Sequence, residues 1–355
     1  MPAQPEPRPI DLHLGEVERP QVRLDDLRGM PTVRRWLASG FLAPLRHPEM
    51  RRLYGGSLRG GVLLYGPDGC GKTFVARVVA GELGASFLAV DVGRLLDMWL
   101  GYSEETLHEV FERARANAPC VLFVDELDAL GPRRAGRRHS VGRKVVAQLV
   151  AELHAVGRDT EDVVVLAASA QPWEADVALR RPGRFDHRLL VLPPDYDARG
   201  AILRAGLRDR RVAGLDPDRV PGPDPDPDPR VPDPGSQALD PDPQVPDPQV
   251  PDLDLDELAV RTEGLTAAEL LDLCDRLAEA AVEARDPSRP VASRPVASRP
   301  ITSRPITMAD ARRLLAELRP GAPAWFAAAR DHLRFSGDSD TYGELAAHLR
   351  ATRAW

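Results

Sequence analysis

Short, wholly apolar runs alternate along this chain with longer stretches in which apolar residues recur every three or four positions. The runs are Val62–Tyr65, Phe87–Val90, Val121–Val124, Val163–Ala168 and Leu189–Leu192. A strand wetted on one face would alternate apolar with polar, whereas an unbroken apolar run suits a strand covered on both faces. The stretches Lys72–Leu83, Ser103–Asn117 and Gly142–Val156 carry the helical period between them. Strands alternating with helices predict an α/β core built on a parallel sheet.

Before this core, residues 1–22 read as a polar, Pro-rich lead-in, and the stretch from Arg23 to about Tyr54 reads as helical, with Val33, Trp36, Leu37, Leu42, Leu45 and Leu53 inward. After the core, the periodic stretches 254–285, 308–318 and 322–350 predict a smaller all-α domain. Two low-complexity tracts interrupt it. Residues 216–252 repeat Asp-Pro and Pro-Asp-Pro-Gln-Val, and residues 288–307 are four copies of Ser-Arg-Pro-(Val-Ala or Ile-Thr). Proline at this density removes backbone donors and favours an extended, solvated chain. The predicted organisation is a lead-in over 1–22, the α/β domain over 23–195 and the start of the helical domain over 196–215. The acidic insertion 216–252, helices over 253–286, the Ser-Arg-Pro insertion 287–307 and the last helices over 308–355 complete it.

Composition changes this picture in three places. The 355 residues are 43% hydrophobic but only 5% aromatic, so the core rests on Leu, Val and Ala. The formal charge of −7 lies almost wholly in residues 215–253, which hold ten Asp and two Arg; the remainder is close to neutral. A near-neutral body lacks the basic footprint of a nucleic-acid binder. Three cysteines, Cys70, Cys120 and Cys274, at no metal-ligand spacing point away from a disulfide framework or zinc site. With no apolar leader and no run long enough to span a bilayer, the expectation is a cytoplasmic protein without a membrane span.

The chemistry is concentrated in three motifs. Gly66-Pro67-Asp68-Gly69-Cys70-Gly71-Lys72-Thr73 follows an apolar run and opens a helical stretch. That is G-x-x-x-x-G-K-[ST] in the setting it requires: glycines let successive N–H groups turn toward phosphate oxygens, Lys72 reaches the outer phosphates and Thr73 ligates Mg²⁺. Next, Cys120-Val121-Leu122-Phe123-Val124 ends in Asp125-Glu126. One carboxylate would hold the Mg²⁺ shell, through water, and the other would polarise the attacking water. Finally, Arg181-Pro182-Gly183-Arg184 sets two guanidinium forks about a tight turn, a geometry suited to a γ-phosphate.

In this order and spacing, the motifs resemble the AAA ATPases, and among them the second ATPase ring of valosin-containing protein and single-ring members such as katanin and spastin. The likeness runs from about Leu24 to Leu349, outside the two tracts. It is carried also by Leu42-Ala43-Pro44-Leu45, by Leu58-Arg59-Gly60-Gly61 before the phosphate loop, by Met98-Trp99-Leu100-Gly101-Tyr102-Ser103-Glu104 and by Leu179-Arg180-Arg181-Pro182-Gly183-Arg184-Phe185-Asp186. The resemblance implies a P-loop α/β core with a helical lid, ATP and Mg²⁺ as ligands, and an active site completed in a hexameric ring. Arg181 and Arg184 would act there on a neighbour's nucleotide, with Arg143 at the same interface. It implies that Trp99 and Leu100 line a central pore and grip a polypeptide, and that Gly264-Leu265-Thr266-Ala267-Ala268-Glu269-Leu270 passes the adenine. Relatives carry an Asn where Ala170 stands, a Glu where Tyr102 stands and a Gly where Ala267 stands. The expected function is therefore an ATP-hydrolysing ring motor that remodels or threads protein, its substrate chosen by an adaptor, the insertions or the ring face. The rival is a nucleotide-gated scaffold, slow in hydrolysis because Ala170 offers no side-chain hydrogen bond. A loader or helicase acting on nucleic acid fits less well with the neutral body.

Overall fold

The computed structural model describes residues 16–46, 61–98, 103–131, 137–156, 162–209, 253–283 and 306–352. Within them the chain forms two compact units. One comprises residues up to Ala198 with Gly264–Ala268 and Pro320–Trp355; the other comprises Arg199–Glu263 and Glu269–Arg319.

The first unit is an α/β core. It opens with α1 (Pro31–Arg35), a π-helical turn Trp36–Leu42 and α2 (Ala43–Arg46). Then β1 (Gly61–Tyr65), α3 (Lys72–Leu83), β2 (Ser86–Asp91), α4 (Val92–Met98), α5 (Ser103–Ala116) and β3 (Cys120–Asp125) follow. After α6 (Arg137–Val156) come β4 (Val163–Ser169), α7 (Val177–Arg180), β5 (Phe185–Leu190) and α8 (Tyr196–Asp209), the last of which leads into the second unit. The strands form one sheet in the order β2-β3-β4-β1-β5, every pairing parallel.

Alternate side chains of each central strand enter different cores, which is why the sequence shows no polar positions there. In β3, Cys120, Leu122 and Val124 meet α4, α5 and α6 on one face. Val121 and Phe123 meet α3 and the segment Leu27–Leu42 on the other. Burying a Phe such as Phe123 contributes about 2–3 kcal/mol.

Residues 16–22, expected to be a loose lead-in, are held in place. Glu18 pairs with Phe87 of edge strand β2 through N–H···O bonds of 2.9 and 2.8 Å, and its carboxylate meets Arg77 at 3.0 Å. Gly81, inside α3, makes room for this crossing, because a Cβ there would lie 2.0 Å from the carbonyl oxygen of Val22.

In the second unit, α9 (Leu255–Arg261), α10 (Ala267–Glu283) from Glu269 onward and α11 (Met308–Glu317) join most of α8. Arg199 is buried and donates to the carbonyl of Ala259 at 2.8 Å. The last repeat of the Ser-Arg-Pro tract is not wholly solvated: Ile306 is buried, and Thr307 caps α11 in a reciprocal pair with Asp310. The final helices, α12 (Ala322–Ser336) and α13 (Gly343–Ala351), cluster with the first unit, although the sequence reading groups residues 308–355 with the lid. Tyr342, Leu333, Leu345 and Leu349 surround Tyr65, Trp173 and Leu190 in a third core.

Candidate functional site

In a parallel sheet, the loops leaving the strands gather at one end. The C-terminal ends of β1, β3 and β4 bring together the loop 66–71, the acidic pair 125–126 and the segment 169–171. Gly66, Gly69 and Gly71 have φ of +150°, +75° and +94°, a region that disfavours side chains. At Gly66 a Cβ would fall 2.1 Å from the carbonyl oxygen of Val191. At Gly71 an added Cβ would meet the Met30 side chain only at 3.8 Å. Gly71 is also the N-cap of α3 and supplies no side-chain bond, leaving the first-turn N–H groups for another acceptor.

Lys72 is 9% exposed, and its Nζ donates to the carbonyls of Gly66 at 2.9 Å and Pro67 at 3.0 Å. It also sits 3.4 Å from Asp68, whose own side chain is 87% exposed, so that ion pair is weak. Thr73 is half-buried beside it, and Cys70 is fully buried. The segment Gly264–Ala268 lies against the loop: the N–H of Ala268 donates to the carbonyl of Gly69 at 3.0 Å. A Cβ on Gly69 would meet Ala268 Cβ at 2.8 Å and Thr266 Oγ1 at 2.9 Å.

Asp125 ends β3 in register with Asp91 of β2. Burial pushes its carboxyl above the usual carboxylate range, against the pull of the Glu126 N–H and of Lys72. Its charge is therefore costly in the bare protein, and a divalent cation would offset that cost. An N–H cradle, a lysine beside it and a half-buried carboxylate fit a phosphate chain with Mg²⁺, for which Thr73 and Asp125 are the oxygen donors at hand.

Glu126 has φ +55°, and it alone among the described non-glycine residues adopts this left-handed conformation. Its N–H donates to Asp125 Oδ1 at 2.9 Å, and its carbonyl accepts from Ala129 at 2.8 Å. Its carboxylate lies over Gly93, where a Cβ would sit 2.2 Å from Oε2. Gly93 is a residue of the site that no motif announces.

Arg181 and Arg184 are placed differently. Their turn precedes β5, so it lies at the other end of the sheet: the carbonyl of Arg184 accepts from Gly61, the first residue of β1, at 2.5 Å. Gly183, at φ +86°, donates to Asp186 at 2.7 Å and closes the turn. Arg181 is exposed, whereas Arg184 is half-buried and donates to the carbonyl of Ala178. Neither is bonded to Lys72, Asp125 or Glu126 among the described residues. β1 is about 16 Å long at the usual rise, which separates these guanidinium groups from the phosphate loop of their own chain. Arg143 is exposed on α6. The pore residues expected from the sequence, Trp99 and Leu100, and Tyr102 beside them, lie outside the described residues.

Ala170 follows β4. The hydroxyl of its neighbour Ser169 is already engaged: Ser169 is buried, donating to Asp128 Oδ1 at 2.7 Å and accepting from the Gln171 backbone N–H at 3.1 Å, whereas Gln171 is exposed.

Comparison with known proteins agrees with this geometry. Residues 62–192 match the ATPase family associated with various cellular activities (AAA). The chain is 37% identical over 271 residues to an ATP-dependent zinc metalloprotease FtsH of Acidothermus cellulolyticus, covering 75% of this chain and 35% of that protein. It is 41% identical over 198 residues to a cell division cycle protein 48 homolog of Archaeoglobus fulgidus, covering 56% of this chain and 27% of that protein. The chain thus spans about a third or less of the length of these relatives. No described helix is long and apolar enough to cross a membrane. Motif, sheet order and relatives agree that residues 62–192 are an AAA-family ATPase domain.

Proposed function

We propose that this chain binds ATP with Mg²⁺, hydrolyses it at a site shared between subunits of a ring, and uses the turnover to remodel or thread a polypeptide. The observation that carries the shared site is the placement of Arg181 and Arg184 one strand length from the phosphate loop of their own chain, at the opposite end of the sheet. Guanidinium forks there serve a nucleotide only if it belongs to a neighbour.

Within the site, the α3 N–H groups and Lys72 bind and orient the phosphates, exchanging the carbonyl bonds of Lys72 for phosphate oxygens. Thr73 and Asp125 hold Mg²⁺, which when bound neutralises charge developing on the transferred group. Glu126 polarises the attacking water, and the void at Gly93 gives its carboxylate room. Gly93→Ala is expected to displace that carboxylate and to lower turnover roughly 10–100-fold with ATP affinity retained. Steady-state turnover beside equilibrium binding of a fluorescent ATP analogue checks it, and equal loss of both would place Gly93 outside the catalytic geometry.

The threading step draws on the resemblance of Trp99-Leu100 to pore residues, and self-association into a hexamer on the same likeness. The polypeptide substrate and any adaptor are partners of that reading. Ala170 favours a second reading, a nucleotide-gated scaffold with little hydrolysis; the constrained backbone of Glu126 favours turnover. Phosphate release in Mg²⁺ and in excess chelator separates the two. Mg²⁺-dependent release supports the motor, and ATP binding without release supports the scaffold.

A further inference from the structure

Ala170 removes a side chain from the end of β4, yet the segment around it is tightly held. The indole Nε1 of Trp325, on α12, donates to the carbonyl of Ala170 at 2.6 Å. Trp325 is fixed in turn by ring contacts with Trp173 at 5.9 Å and Phe326 at 5.3 Å. Trp173 stacks on His332 at 5.0 Å and meets Tyr342 edge-on. Tyr342 packs against Tyr65, the residue just before the phosphate loop.

From Ala170 the bonds continue toward the acidic pair. Ser169 donates to Asp128 at 2.7 Å, and Asp128 lies in the turn Leu127–Leu130, whose N-cap is Glu126 in its left-handed conformation. A continuous path thus joins the C-terminal helices to the backbone that aims Glu126. A strained conformation persists only where its surroundings hold it.

From this path we infer that Trp325 is a positioning residue for ATP hydrolysis, acting through Ala170, Ser169 and Asp128 on Glu126. The inference rests on the ATPase reading above. It makes the helices Ala322–Ser336 and Gly343–Ala351 part of the hydrolytic apparatus of their own subunit. Contact with nucleotide is not part of this role, so its loss acts on the chemical step and spares binding.

The test is Trp325→Phe, which keeps an aromatic ring in the cluster and removes the donor together with the five-membered part of the indole. kcat is expected to fall about fivefold, as for one lost hydrogen bond, with KM and the affinity for a fluorescent ATP analogue unchanged. Ser169→Ala cuts the same path, so the double variant is expected to lose no more than either single one. Leu349→Val thins the core under α13 without removing a ring or a bond of the path and is expected to lower Tm while sparing kcat. Unchanged kcat in Trp325→Phe overturns the inference, as do additive losses in the double variant or a kcat loss in Leu349→Val of the same size. Should Trp325→Phe not fold, Ser169→Ala alone carries the test: kcat must fall at constant KM, and unchanged kcat overturns it. Wild type turning over no faster than Glu126→Gln removes the ATPase reading itself and this inference with it, whereas an active wild type matched by Trp325→Phe removes only the inference.

Discussion

Glu126→Gln is expected to lower ATP turnover roughly 10²–10⁴-fold while leaving ATP affinity intact. The exchange keeps the shape of the side chain over Gly93, and the backbone bonds to Asp125 and Ala129 do not involve the carboxylate. What is lost is the negative charge that accepts the proton of the attacking water. Binding rests elsewhere, on the loop 66–71, the start of α3 and Lys72. Phosphate release measured beside equilibrium binding of a fluorescent ATP analogue reads both at once. Turnover within about tenfold of wild type would assign water activation to another group.

Lys72→Ala acts on the other half of the site and is expected to weaken ATP binding roughly 10–100-fold, as for one or two lost charge-assisted bonds. The effect has two sources. The phosphates lose the buried cation beside them, and the loop loses the donor that ties the carbonyls of Gly66 and Pro67 together. Calorimetric titration with Mg²⁺ and a non-hydrolysable ATP analogue checks the loss. Wild-type affinity in the variant would mean that backbone N–H groups alone bind the phosphates.

The sheet was legible in the sequence because its central strands are buried on both faces and so read as unbroken apolar runs. β5 was less so. Its polar Asp186, His187 and Arg188 sit on an edge strand, so the apolar signal begins only at Leu189, four residues after the strand does. Of the helical stretch expected over Arg23–Tyr54, the described part to Arg46 is broken, with Gly29 at φ +67°, Pro31 opening α1 and a π-helical turn from Trp36 to Leu42, while residues 47–54, Leu53 among them, lie outside the described residues.

In the site, the phosphate loop and the acidic pair announce themselves because their chemistry demands a fixed local spacing. Gly93 and Trp325 do not. Gly93 matters through an atom it lacks, and Trp325 reaches Ala170 across 155 residues by a fold-level contact that no local pattern encodes. The same holds for α12 and α13: their periodicity predicts helices but is silent on which unit they join.

Whether one subunit completes the site of another is read from turnover per subunit across a range of protein concentration, with Arg184→Ala measured alongside. Turnover per subunit is expected to rise with concentration in wild type and to stay near background in Arg184→Ala, although the variant still binds ATP. Turnover per subunit that is independent of concentration from the most dilute sample upward, and equal in Arg184→Ala, would contradict it and leave a hydrolytic site complete within a single chain.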